Sequence, residues 1–200
     1  MKKSDSSQGV SNNSANRPLS HNQQAKFVRK VPGNRLSTKE FLMERILYLI
    51  RHAPAEDAAL SGARDYDRAL TSDGRALANQ QANQLVERGI HLDGLIGSTA
   101  VRAWQTAEVV ANTLNLPESR CVKWPILYSA KVQELVAVRV SKSWNTVALV
   151  GHNPSLSLLA QYLVKGYEAE IPPAGIIGIS FPTNQWLWPR TGQIVLELFP

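Results

Sequence analysis

Two histidines stand one residue beyond apolar runs with the length and composition of buried strands. Ile46-Leu47-Tyr48-Leu49-Ile50 exits as Arg51-His52-Ala53, and Thr146-Val147-Ala148-Leu149-Val150 exits as Gly151-His152-Asn153-Pro154. In open α/β sheets the chemistry gathers just beyond the carboxyl ends of the strands, so imidazoles at two equivalent ends are candidates for one site. The chain has four histidines, and the other two, His21 and His91, fall in a polar tail and a loop. Arg102 lies one turn into the helix expected after the short strand Leu95-Ile96-Gly97. There its guanidinium and the free N–H groups of the helix start both favour an anion. Arg68, just before the helix start at Leu70-Thr71, is a further cationic candidate.

The elements that must position these residues follow from local pattern. The two continuous apolar runs are short enough for strands and buried on both faces, which marks them as central. Thr71 is expected to cap a helix from about Ser72 to Arg88, with Leu77, Leu85 and neighbouring alanines on its apolar face. Ser98 is expected to cap a second helix, about Ala100 to Leu114, stopped by Asn115-Leu116-Pro117. A weaker strand near Arg120 to Lys123, a helix from about Lys131 to Ser141 and another from about Ser155 to Lys165 complete an alternation of strands and helices. That order implies an α/β fold of three α/β/α layers around a mostly parallel sheet. Ile176 to Phe181 and Gln193 to Phe199 are separated by a turn region rich in Pro, Asn and Trp, and are expected to add antiparallel edge strands.

The 200 residues suit one domain with chain to spare, and a single cysteine excludes both an internal disulfide and a Cys-rich zinc module. No run reaches the length of a membrane helix and no signal-peptide core opens the chain, so the expectation is a cytoplasmic protein with no membrane partner. The net charge of +6 comes from residues 1–45, which hold nine Lys or Arg against three acids; thirteen of each cancel in the rest. Met1 to Ala25 is crowded with Ser, Asn and Gln and is expected to be disordered. Lys26 to Glu44 reads as a linker with a short helix near Thr38 to Glu44. The domain is therefore expected over 45–200, behind a basic extension over 1–44. That extension reads as solvated chain and not as a nucleic-acid-binding arm.

Four segments, in order, resemble the histidine phosphatase superfamily with its phosphoglycerate mutase-like fold, and within it the small phosphohistidine phosphatase SixA-type branch. Arg51-His52-Ala53 is similar to the family's Arg-His signature. Asp67-Arg68-Ala69-Leu70-Thr71 with Gly74 is similar to the branch's Arg-Pro-Leu-Thr stretch. Ser98 to Ala107 resembles Ser-Pro-x-x-Arg-Ala-x-Gln-Thr-Ala, and Gly151-His152-Asn153-Pro154 resembles the second-histidine motif. The resemblance runs from about residue 45 to 198. It implies that His52 is the nucleophile and that Arg51, Arg102 and His152 form the catalytic phosphate pocket, joined by Arg68. A phosphoryl group brings about two negative charges near neutral pH, which planar guanidinium forks bind with paired hydrogen bonds. A neutral imidazole can take the phosphoryl group covalently and release it to water, with His152 as a donor to the equatorial oxygens. No metal or other cofactor is implied.

Departures from the family pattern bear on the substrate. Thr99 and Ala69 stand where prolines are usual, with little consequence expected. The glutamate or aspartate that serves other branches as general acid has no evident counterpart. Asn153 stands directly after the second histidine, and Glu56, Asp57 and Glu134 are the available substitutes. An alkoxide leaving group needs a proton whereas a phosphorylated imidazole needs far less help, so the missing acid favours a P–N bond. The short chain also leaves no room for a cap over small sugar phosphates. The expected substrate is phosphohistidine on a protein partner, such as a histidine phosphotransfer domain or a phosphocarrier. The alternatives are a broad-specificity small-molecule phosphomonoesterase and a non-catalytic phosphate-binding module. Rival chemistries fail on the residues: the sixth residue after Cys121 is Leu127, not the arginine of a Cys-x5-Arg loop. Asp65-Tyr66-Asp67 follows Ala63-Arg64 where an Asp-x-Asp nucleophile would follow an apolar strand. No Gly-x4-Gly-Lys loop is present.

Overall fold

A computed structural model describes residues 44–183, 186 and 188–200. The extension over 1–43, including the start of the helix expected near Thr38, lies outside the described residues; Glu44 itself opens the first strand and not a helix end. The elements run β1 (Glu44–Arg51), α1 (Ala58–Ser61), α2 (Ser72–Glu87), β2 (Gly94–Gly97), α3 (Val101–Thr113), β3 (Cys121–Lys123), α4 (Val132–Leu135), β4 (Thr146–Gly151), α5 (Ser155–Leu163), β5 (Ile176–Pro182) and β6 (Gln193–Leu198). They form one six-stranded sheet in the order β3-β2-β4-β1-β5-β6. The pairs β3–β2, β2–β4 and β4–β1 are parallel, and β1–β5 and β5–β6 are antiparallel.

Strand alternation divides the core into two layers. Leu47, Leu49, Val147 and Leu149 face α5 on one side, together with Leu156, Leu159 and Leu163. Tyr48, Ile50, Ala148 and Val150 face α2 and α3 on the other, against Ala78, Ala82, Leu85, Ala107 and Val110. Among the described residues no helix is long and apolar enough to cross a membrane.

Three expectations are corrected. The helix expected from Lys131 to Ser141 stops at Leu135. Beyond it Val138 and Val140 are buried while Ala137 and Arg139 are exposed, a two-residue alternation that β-branched valines favour over a helical stripe. Of the two late strands only β6 is an edge. β5 is buried from Ile176 to Phe181 between β1 and β6, whereas β6 alternates between exposed and covered positions. Ser98 does not cap α3, whose N-cap is Ala100 without a side-chain bond.

Candidate active site

The register of β1 and β4 pairs Arg51 with Gly151, so the next residue of each strand, His52 and His152, leaves the sheet side by side. Their rings lie 5.1 Å apart, centroid to centroid. The His52 backbone is fixed at both ends: its N–H donates to Gly151 O at 3.0 Å, and its carbonyl accepts from Ala174 N at 3.1 Å. Its ring Nδ1 lies 2.8 Å from Ala53 O. A carbonyl only accepts, so the ring proton sits on Nδ1 and Nε2 carries the lone pair. Arg102 Nε–H points at that nitrogen from 3.3 Å. Burial, then the Arg102, Arg51 and Arg68 charges, outweigh the Ala53 bond and push His52 down to about 4. The imidazole is therefore neutral at physiological pH.

α3 ties this loop together. Thr106 Oγ1 accepts from Ala53 N at 3.1 Å and donates to Arg102 O at 2.8 Å, while Gln105 Oε1 accepts from Leu70 N at 2.8 Å. The Arg-Ala-x-Gln-Thr spacing thus places an arginine toward His52 and two polar anchors under the loops carrying His52 and Arg68. Thr71 caps α2 through Gly74 N at 2.9 Å. Gly74 is glycine for a reason of space: a Cβ there would lie 1.9 Å from Pro54 O.

Arg102 is only 5% exposed. Its Nη1 donates to the backbone carbonyl of Asp65, and its Nη2 donates to Asp65 Oδ2 at 3.0 Å. Arg68 Nε and Nη2 donate to Asp65 Oδ1 at 3.0 and 2.6 Å, and its Nη1 donates to Glu56 O at 2.8 Å. Tyr128 OH donates to Asp65 Oδ2 at 2.9 Å, and the Tyr128 ring stands edge-on to His152 at 5.6 Å. Asp65 is a site residue that the sequence reading misses, because the Asp-x-Asp pattern points only to a nucleophile. The available signal was an acid three residues before Arg68. The arginines and Tyr128 hold its carboxyl well below the usual carboxylate range.

His152 is buried. Its Nε2 lies 2.9 Å from Ser98 Oγ, and its Nδ1 has no hydrogen-bond partner among the described residues. Burial first, then His52 and Arg102, push it down to about 3. The expected donor is thus neutral before a phosphoryl dianion binds. Ser98 supports this ring where a helix cap was expected, and its Oγ also accepts from Ala100 N at 3.3 Å. Arg51 Nη1 donates to Ile171 O at 2.9 Å and lies 3.6 Å from Glu170 Oε1. Asn153 is spent on structure: its Nδ2 donates to Ile171 O and Glu170 Oε1, and its Oδ1 accepts from Ser157 N and Oγ.

The substitute acids are placed elsewhere. Asp57 caps α1 through Ala59 N and Leu60 N. Glu134 accepts from Lys131 N at 2.7 Å at the start of α4. Glu56 is exposed, and its carbonyl, not its carboxylate, holds Arg68.

These shifts set a stability profile. Both imidazoles protonate near the usual 6.5 in the unfolded chain, but only near 4 and 3 in the folded one. The unfolded state then binds more protons between those limits, so stability is full above about pH 6.5 and is lost as pH falls through about 4 for His52 and about 3 for His152. Chemical unfolding at pH 7 and pH 5 is expected to show this loss in the wild type, and a smaller loss in His52→Ala.

Comparison with known proteins agrees with the geometry. Residues 47–125 match the histidine phosphatase superfamily (branch 1). The phosphohistidine phosphatase SixA of Escherichia coli (strain K12) is 32% identical over 134 residues, covering 64% of this chain and 77% of that protein. An uncharacterized protein of Picosynechococcus is 31% identical over 142 residues, 66% of this chain and 83% of that one. A solved structure assigned as the phosphohistidine phosphatase SixA of Agrobacterium tumefaciens superposes with a TM-score of 0.67 at 25% identity, covering 78% of this chain and 98% of that one. The fold and the sequence together define the class: the chain belongs to the histidine phosphatase superfamily.

Proposed function

We propose that the protein is a phosphatase that carries the phosphoryl group on His52 and acts on phosphohistidine of a protein. The observation that carries this reading is the His52 ring: neutral, with Nδ1–H fixed on Ala53 O and the Nε2 lone pair turned toward Arg102 Nε–H in the field of Arg51 and Arg68. Nε2 attacks phosphorus, the bond from phosphorus to the substrate nitrogen breaks, and its electron pair stays on the departing imidazole. If the far nitrogen of that ring carries a proton, it leaves neutral. Water then attacks the phosphoenzyme, the bond to Nε2 breaks, and inorganic phosphate departs. Arg51, Arg68 and Arg102 bind the phosphoryl oxygens and stabilise charge during both transfers. When the Ser98 hydroxyl donates to His152 Nε2, the ring proton lies on Nδ1, a buried nitrogen without a partner among the described residues and so the one left to donate to a phosphoryl oxygen.

The substrate reading rests on proton supply. Asp65 is held ionised by its partners, Asn153 is bound on both sides, and Asp57 and Glu134 cap helices. A departing imidazole needs no such acid. The E. coli relative carries the name phosphohistidine phosphatase, and a groove of about 510 Å³ beside His152, lined by Tyr128, Lys131, Val132, Pro154 and Leu158, leaves room for a protein side chain. A histidine phosphotransfer domain or a phosphocarrier fits that description. Paired assays on a histidine-phosphorylated phosphotransfer domain and an aryl phosphate are expected to give kcat/KM about 10²-fold or more higher for the former. Comparable values would make the protein a broad phosphomonoesterase.

A further inference from the structure

We propose that Asp65 is a positioning residue for phosphoryl transfer, clamping Arg102 and Arg68 so that their guanidiniums present fixed edges to the group at His52. The proposal rests on the phosphatase reading and adds a residue to it. A guanidinium offers five N–H donors in a rigid fork. On Arg102 the terminal pair is taken by Asp65 alone, Nη1 by its carbonyl and Nη2 by Oδ2. The side edge remains, formed by Nε and the second Nη2 hydrogen, and its Nε already faces His52 Nε2. On Arg68 the reverse holds: Asp65 Oδ1 takes the Nε and Nη2 edge and Glu56 O takes one Nη1 hydrogen, which leaves one hydrogen on each nitrogen of the terminal pair.

An exposed ion pair on its own would fix little. Asp65 differs in that its carboxylate accepts from three side chains, Arg68, Arg102 and Tyr128, and one of them is almost fully buried. Those bonds tie the turn over Asp65–Asp67 to α3 and to Tyr128, which flanks His152. The carboxylate also carries a negative charge into a pocket built for an anion. Its presence therefore opposes ground-state binding of phosphate while it aligns the transition-state donors. Those two effects have opposite signs and can be separated.

The test compares the full chain with its Asp65→Asn and Asp65→Glu variants. With phosphoramidate as the P–N substrate, Asp65→Asn is expected to lower kcat about 10- to 100-fold, while inhibition by inorganic phosphate stays the same or strengthens. Asp65→Glu, which keeps the charge and both acceptor oxygens, is expected to recover part of the loss. An unchanged kcat with tighter phosphate binding would overturn the proposal and leave Asp65 a mere competitor for the arginines. So would equal losses in kcat and phosphate affinity. A second readout is independent of turnover: in protein labelled with ¹⁵N-arginine, solvent exchange of the Arg102 Nε–H is expected to be slow in the wild type and faster in Asp65→Asn. Equal exchange rates would sink the clamp. A wild type that turns over no substrate would refute the phosphatase reading while this second readout still judges the clamp.

Discussion

Replacing His52 by alanine is expected to reduce turnover of a histidine-phosphorylated protein on the order of 10⁴-fold or more, because the variant has no atom to carry the phosphoryl group. Affinity for inorganic phosphate should survive, since Arg51, Arg68 and Arg102 are held by donating to Ile171 O, Glu56 O and Asp65 Oδ2, and the His52 ring accepts only from the Arg102 Nε. Single-turnover kinetics together with calorimetry of phosphate binding separate the two. Loss of both in a folded variant would assign His52 to structure and not to chemistry. Phosphate binding in a wild type without turnover would support a non-catalytic binding module.

The second large effect is expected at Arg102. Arg102→Lys keeps the charge but not the fork. One ammonium cannot reach the Asp65 carbonyl, Asp65 Oδ2 and a phosphoryl oxygen beside His52 with the same geometry. Loss of one aligned donor to a developing oxyanion costs about 10²- to 10³-fold in kcat, and that range is expected here, with a smaller change in KM. A lysine variant within a few-fold of wild type would mean that charge alone suffices at this position.

Much of this site is legible in the sequence because it hangs on strand ends. The runs Ile46 to Ile50 and Val147 to Val150 are apolar and short, which marks them as central strands. The residues that follow them had to emerge at a sheet end. The sequence does not state that β1 and β4 are neighbours in register, and it is that pairing of Arg51 with Gly151 which brings the imidazoles within 5.1 Å. The helix starts at Ser72 and Val101 fall within a residue of expectation, because Thr71 and the apolar stripes mark them locally.

What the sequence hid is long-range. Asp65 meets Arg102 across 37 residues and Tyr128 across 63, and its place three residues before Arg68 is the one local feature that distinguishes it from Asp67. Ser98 has the residue type and position of a helix cap, yet its hydroxyl is taken by His152, 54 residues away. Competition from tertiary partners decides both cases. The over-long helix after Lys131 fails for a local reason that was readable: Val136, Val138 and Val140 repeat every second residue, a period that belongs to extended chain.

The most direct test of the account is to trap the intermediate. The wild type is mixed with a histidine-phosphorylated phosphotransfer domain, quenched in alkali during turnover, and mapped by peptide mass spectrometry. The account predicts a single phosphoryl group on the peptide bearing His52, lost on acid treatment and absent from His52→Ala. Turnover with no phosphorylated peptide, or with the label on His152, would contradict it.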